Sequence, residues 1–262
     1  VVHTPGASDD AGTLQVNTTL ALAYQNLGSS ATVLVDGGAG ADEIVVHGTS
    51  GGDAFSVDTS VPGGRIDLNS RLPVLTANIQ TATLEGHEGD DAFTLVPAIS
   101  GSPYTTLNLN GGDEASALGD VANVHGTGGD DDLALSGQTV MLGGVTVAGS
   151  GVEQIHLDGG SSDGDVITYN GVAGVSEDIE LHAAVASDAG RLLVPGVASY
   201  FYTGVMLFEI NGNDGLAGDT DTVTVKGPNG DDRVEIQMDA AGTAADPRLH
   251  LFDRDPDEPR LP

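Results

Sequence analysis

A short apolar pattern recurs along this chain at intervals of about 25 residues, and this period limits the folds that the chain can adopt. In the clearest copies two apolar residues flank a variable residue, and a polar residue and a turn residue follow, as in Leu107-Asn108-Leu109-Asn110-Gly111; weaker copies keep only part of this pattern. The second apolar residues of the copies are Val35, Val61, Leu84, Leu109, Leu135, Leu157, Leu181, Ile210 and Ile236. Their regular spacing is typical of solenoids and other repeat arrays.

The alternation of apolar and polar residues with a period of two predicts strands rather than helices. Three short strands and three turns fit into about 25 residues, so the sequence predicts an all-β fold, a right-handed parallel β-helix (a β-solenoid), with about nine rungs over residues 31–252. Tandem β-sandwiches are the alternative, because strands every 8–12 residues or so also suit them. Residues 1–30 are expected to form an N-terminal cap or donor strand, and residues 253–262 an acidic, proline-rich linker.

The charge balance limits the partners that the chain can have. Asp and Glu number 39 against 8 Lys and Arg, which gives a net charge of −31. Such a surface repels phosphate backbones and anionic lipid headgroups, so nucleic acid is not expected as a partner. No stretch approaches the length of apolar sequence that a membrane-spanning helix needs, so membrane insertion is not expected either. The chain has no cysteine, which excludes disulfides and zinc–thiolate sites.

A second motif combines glycine and aspartate at the turns. Its copies have glycine at the first and fourth positions, aspartate at the sixth and a large apolar residue at the eighth. They are Gly37–Val45, Gly48–Ser56, Gly86–Thr94, Gly126–Ala134 and Gly227–Glu235. Glycine permits positive φ, so such a turn can direct several carbonyl oxygens at one point, and hard oxygen ligands favour calcium. The alternative is an ordinary β-turn, because Asp and Gly favour turns without any metal.

These nonapeptides resemble the haemolysin-type calcium-binding repeats of secreted bacterial RTX proteins. The resemblance implies a calcium-filled β-roll and secretion, with Ca²⁺ bound by Asp42, Asp53, Asp91, Asp131 and Asp232. RTX nonapeptides usually run in tandem, whereas these stand apart, so any shared site must join loops from neighbouring rungs. Val124–Leu135 and Gly151–Gly160 are also similar to the long repeats of very large bacterial surface proteins.

The carboxylates follow the repeat instead of breaking it, so an enzyme is not expected. The sequence favours an extracellular, calcium-stabilised structural module of a bacterial cell-surface protein, an adhesin stalk or a self-assembling fibre. Its expected partners are copies of itself or adjoining repeats, end to end, and glycans are a further class left open. The alternative is a β-helix protein that binds or cleaves polysaccharide, with the aromatic cluster Tyr200–Tyr202 as the place where a ligand would lie.

Overall fold

The computed structural model describes residues 1–96, 102–116, 118–161, 164–186, 188–212 and 221–227, together with the backbone of 235–237 and 248–250. Among these residues every regular element is a β-strand. The all-β class predicted from the alternating pattern is therefore confirmed. The predicted linker at 253–262 lies outside the described residues.

Twenty-two of the strands form two mixed sheets of eleven strands each. Sheet I contains, in spatial order, β3 (Leu22–Tyr24), β2 (Gly12–Gln15), β1 (Val2–Pro5), β5 (Glu43–His47), β9 (Thr81–Glu85), β11 (Thr106–Asn110), β15 (Val145–Ser150), β14 (Thr139–Leu142), β13 (Asp132–Ser136), β17 (Val166–Asn170) and β21 (Leu207–Asn211). At a strand spacing of about 4.8 Å the sheet extends over roughly 50 Å.

Sheet II has the same number of strands. In spatial order it contains β4 (Val33–Asp36), β8 (Val74–Ala77), β7 (Arg65–Leu68), β6 (Ala54–Asp58), β10 (Ala92–Val96), β12 (Val121–His125), β16 (Gln154–Asp158), β20 (Ser199–Thr203), β19 (Gly190–Leu193), β18 (Asp178–Ala183) and β22 (Thr222–Lys226). A separate antiparallel pair consists of β23 (Glu235–Gln237) and β24 (Arg248–His250).

The chain crosses repeatedly between the sheets, and most strands that meet across these crossings are parallel. β9 and β11 are successive parallel neighbours, and Thr81 faces Thr106, which lies 25 residues further along the chain. Elsewhere the separation reaches 45 residues, between Gln154 and Ser199. The sequence separation of paired strands varies because some segments form three antiparallel strands in one sheet before the chain crosses again. Examples are β6–β7–β8 and β13–β14–β15. The repeat is therefore less uniform than a constant 25-residue rung.

One hydrophobic core lies between the inner faces of the two sheets. Burial alternates along the strands, as in β10, where Phe93 and Leu95 are buried and their neighbours are partly exposed. Like residues stack from strand to strand: Phe93 faces Phe55, and their ring centroids are 5.2 Å apart. A single cluster of buried side chains includes residues from both sheets. The outer faces and the crossing loops therefore carry the polar chemistry.

Candidate functional site

Two of the glycine–aspartate loops close on their own aspartate. The backbone N–H of Thr49 donates to Asp53 Oδ2 at 2.6 Å, and the N–H of Thr127 donates to Asp131 Oδ2 at 2.6 Å. Each threonine hydroxyl also donates to the same carboxylate oxygen, at 3.1 and 3.0 Å. Asparagine Asn69 adds a third donor to Asp53. The Gly-Thr-x-Gly-x-Asp sequence thus produces a loop whose backbone is held by its own acidic side chain.

The acidic side chains also join one crossing loop to the next. Asp91 Oδ1 accepts the backbone N–H of Asp53 at 2.7 Å, and Asp120 Oδ1 accepts that of Asp91 at 2.6 Å. Glu153 Oε2 accepts the N–H of Asp120 at 2.6 Å. These four residues lie in four adjacent crossings from sheet I to sheet II. We call Asp53, Asp91, Asp120 and Glu153 the carboxylate ladder.

The same contact occurs at other crossings of the chain. Asp165 Oδ1 accepts the N–H of Asp131 at 2.7 Å, and Asp221 Oδ1 accepts that of Glu177 at 2.9 Å. At the Asp42 crossing the acceptor is Gln80 Oε1, at 2.8 Å. An uncharged amide therefore takes the place of a carboxylate in one loop. What every position shares is an oxygen that accepts a backbone N–H of the neighbouring loop.

The first glycine of each loop makes room for the acidic side chain. A methyl group on Gly48 would lie 2.5 Å from Asp53 Oδ2 and 2.9 Å from the carbonyl oxygen of Gly86. A methyl group on Gly86 would clash with Asp91 in the same way. These glycines do not have positive φ. Among the described copies, the positive φ expected of the motif occurs at the fourth position in Gly40 (128°) and Gly89 (124°), and at the second position in Gly38 (80°).

Burial gives the ladder an unusual electrostatic character. Asp91 is 2% exposed, and burial raises its pKa to about 6, with further contributions from the charges of Asp120 and Asp53. Burial also raises the pKa of Asp120 and of Asp165. Within the part of the chain that the structure describes, one carboxylate oxygen is buried without a hydrogen-bond partner in each of five loops: Oδ2 of Asp42, Asp91, Asp120, Asp165 and Asp221. The ladder therefore concentrates negative charge that the protein solvates poorly.

The structure separates the calcium ligands predicted from the sequence. Asp53 and Asp91 are neighbours in the carboxylate ladder. Asp42 and Asp131 precede β5 and β13, which have four strands of sheet I between them. Asp232 lies outside the described residues.

Calcium takes six to eight oxygen ligands around one point. Within the described ranges, no group of three or more His, Cys, Asp or Glu side chains is arranged to hold a metal ion. Hydrogen-bond donors contact three of the predicted ligands: a backbone N–H at Asp91 Oδ1, and backbone N–H groups with side-chain donors at Asp53 and Asp131. Calcium binding by these aspartates therefore stays a prediction.

The nonapeptide pattern found Asp91 but missed the other residues whose side-chain oxygen accepts the backbone N–H at the end of the neighbouring loop. They are Gln80, Asp120, Glu153, Asp165 and Asp221. Their loops differ in length, so a fixed spacing from glycine to aspartate cannot detect them. They share a simpler signal, since each one is the residue directly before a strand, as Asp120 is before β12.

The aromatic cluster Tyr200–Tyr202 divides between the two sides of sheet II. Tyr200 and Tyr202 are buried in the core, at 0% and 7% exposure. Phe201 points to the outer face and is partly exposed. The two tyrosines therefore fill the interior, and Phe201 is the member of the cluster that a ligand can reach.

Comparison with protein-family models, with curated proteins and with solved structures finds no match for this chain. In the part of the chain that the structure describes, no helix has the length and apolar character needed to cross a bilayer. The geometry of the loops and of the outer sheet faces is therefore the basis for any function proposed for this chain.

Proposed function

We propose that this chain is a non-catalytic structural module, a β-solenoid spacer within an extracellular surface protein, adhesin stalk or fibre. The observation that carries the proposal is the carboxylate ladder. Its acidic residues hold one crossing loop against the next, and at Asp42 the neutral side chain of Gln80 has the same role. Side chains committed to backbone contacts support a mechanical role better than a role in binding or catalysis.

The ends of the sheets support assembly with copies of the chain or with adjoining repeats. β3 and β4 are the terminal strands of the two sheets at the N-terminal end. Leu20 and Leu22 are 95% and 66% exposed, and Leu34 on β4 is 66% exposed. Exposed apolar residues beside a terminal strand favour the addition of another layer of strands. An end-to-end contact would cover these residues.

Calcium stabilisation forms the second part of the proposal. The chain carries a net charge of −31, and the buried ladder raises the pKa of Asp91 to about 6. Burial is the main cause of this raised pKa and the charges of Asp120 and Asp53 add to it, so ionised carboxylates in these loops are poorly solvated and also repel one another. A hard divalent cation that binds near these loops would reduce the repulsion, and weak extracellular calcium sites operate at about 10⁻⁴–10⁻³ M.

Thermal unfolding tests the calcium part directly. The protein is melted in EGTA, in calcium at 5–10 mM or so, and in magnesium at the same concentration. A site filled at about 100 times its Kd adds about 2.7 kcal/mol, so a calcium-specific rise in the midpoint is expected. Equal midpoints in the three buffers would refute calcium stabilisation. A solution-scattering profile of a compact sphere rather than an elongated particle would refute the spacer.

A further inference from the structure

The outer face of sheet II carries a row of cationic and aromatic side chains. His156 on β16 faces Phe201 on β20, Phe201 faces Arg191 on β19, and Arg191 faces His182 on β18. His182 in turn faces Lys226 on β22. We call these five residues the cationic–aromatic row. At about 4.8 Å per strand it extends over roughly 19 Å, perpendicular to the strands.

The members of the row contact one another. The rings of His156 and Phe201 have centroids 4.9 Å apart and are tilted by 55°. The guanidinium carbon of Arg191 lies 6.0 Å from the centroid of Phe201, at the limit of a cation–π contact. Lys226 Nζ donates to Glu180 Oε2 at 2.7 Å, and His182 Nε2 lies 3.0 Å from the same oxygen. The Glu180 carboxylate thus contacts two basic side chains.

This concentration of basic groups is unusual in so acidic a chain. The structure describes the side chains of four of the eight Lys and Arg residues, and two of these four belong to the row. Arg65 is bound to Asp67 at 2.8 Å, and Arg71 donates to the carbonyl oxygen of Gly6 at 2.6 Å. Arg191 forms no ion pair with any residue in the described ranges. Its guanidinium donors therefore remain available to a ligand.

We propose that the cationic–aromatic row binds a carboxylate-bearing polysaccharide, a chain that contains uronic acid. The planar guanidinium of Arg191 matches a carboxylate in a bidentate arrangement. The ring of Phe201 offers an apolar face for the C–H surface of a sugar ring, and a linear row suits an extended chain. The net charge repels anions at long range, but this repulsion is screened beyond about 8 Å at physiological ionic strength.

A peptide ligand fits this surface less well. β16, β20, β19 and β18 each have a strand on both sides, so an extended peptide cannot add to them through backbone hydrogen bonds. A narrow row on an otherwise polar face also offers little of the roughly 800 Å² per partner that a stable protein interface buries. The chemistry of the row therefore favours a glycan over a polypeptide.

Isothermal titration tests the proposal with three ligands. They are oligogalacturonate, maltohexaose as a neutral glycan and poly-glutamate as an acidic polypeptide. The variants are Arg191→Gln and Phe201→Ala, and Arg65→Gln is the matched control, because it removes the same charge from the outer face of the same sheet. Circular dichroism shows whether each variant is folded. Oligogalacturonate should bind, and each row variant should weaken it by about tenfold, with no change for Arg65→Gln.

Three outcomes would overturn the proposal. Absence of oligogalacturonate binding removes the site altogether. Equal binding of maltohexaose with no effect of Arg191→Gln shows that the carboxylate is not recognised. Stronger binding of poly-glutamate, lost in Arg191→Gln, identifies an acidic polypeptide as the partner. Because the row lies on the outer face of the sheet and not in the crossing loops, none of these results depends on the calcium experiment.

Discussion

Replacement of Asp91 by alanine and, separately, by asparagine distinguishes its hydrogen bond from its charge. Asp91 Oδ1 accepts the buried N–H of Asp53 at 2.7 Å. Alanine removes the acceptor and leaves that N–H unsatisfied, which costs about 1–3 kcal/mol. Asparagine keeps an oxygen in the same place and removes the charge, and its NH₂ group takes the position of the buried Oδ2. The two variants should therefore differ in stability by about 1–3 kcal/mol, with asparagine the more stable.

The raised pKa of Asp91, about 6, makes the free energy of unfolding depend on pH, and the sign of this dependence can be worked out. An unfolded aspartate titrates near 3.9 or so, hence the folded protein holds this proton more tightly than the unfolded chain does. The stabilisation is fully present below about pH 4 and is lost as the pH rises through about 6. A shift of two units or so corresponds to about 3 kcal/mol, and solvent screening at the loop reduces this to about 1–2 kcal/mol. The asparagine variant should therefore exceed the wild type in stability at pH 8.

Urea unfolding followed by circular dichroism, at pH 5 and pH 8 in EGTA, measures these differences. Comparison of wild type with Asp91→Asn removes the effect of other groups, including His3, whose pKa burial lowers to about 4. Asp90→Asn is the matched control: Asp90 is exposed, and the Ser116 hydrogen bond lowers its pKa, so no gain at pH 8 is expected. The ladder interpretation fails if Asp91→Asn is as unstable as Asp91→Ala, or if it keeps the wild-type pH dependence.

Two glycine substitutions give further predictions. Gly86→Ala places a methyl group against Asp91 and 2.6 Å from the carbonyl oxygen of Gly111, so we expect a loss of about 1–3 kcal/mol in urea unfolding. Gly51→Ala meets no atom within 4 Å, and an equal loss there would contradict the packing role of Gly86. Gly144 has a φ of 85° with open space around it, so Gly144→Ala should lower stability by about 1–2 kcal/mol and Gly144→Asn by less. Equal thermal midpoints for the two Gly144 variants would show that φ does not decide the cost.

The strands could be predicted from sequence better than their order in the sheets. The alternation around Leu109 reports a strand with one buried face, and β11 has that burial pattern. The spacing of the copies predicted rungs of constant length, but hairpins add strands within one sheet and make the repeat uneven. The pair Gly143-Gly144, between two alternating apolar runs, is the sequence signal for the hairpin from β14 to β15, and both glycines have positive φ. A search for one period passes over such local turns.

The chemistry of the crossing loops could be predicted only in part, because the motif lies in one loop and its partner lies in another. Glycine and aspartate at Gly86 and Asp91 specify a tight loop with an oxygen acceptor at its end. Whether that oxygen meets a cation or a backbone N–H depends on the register of the neighbouring strand, which the motif does not contain. At the Asp42 loop the oxygen belongs to Gln80 and accepts a backbone N–H. A neutral amide suits an N–H donor and is a weak substitute for a carboxylate at a calcium site. An oxygen acceptor directly before a strand is thus a more general signature of this architecture than the nonapeptide.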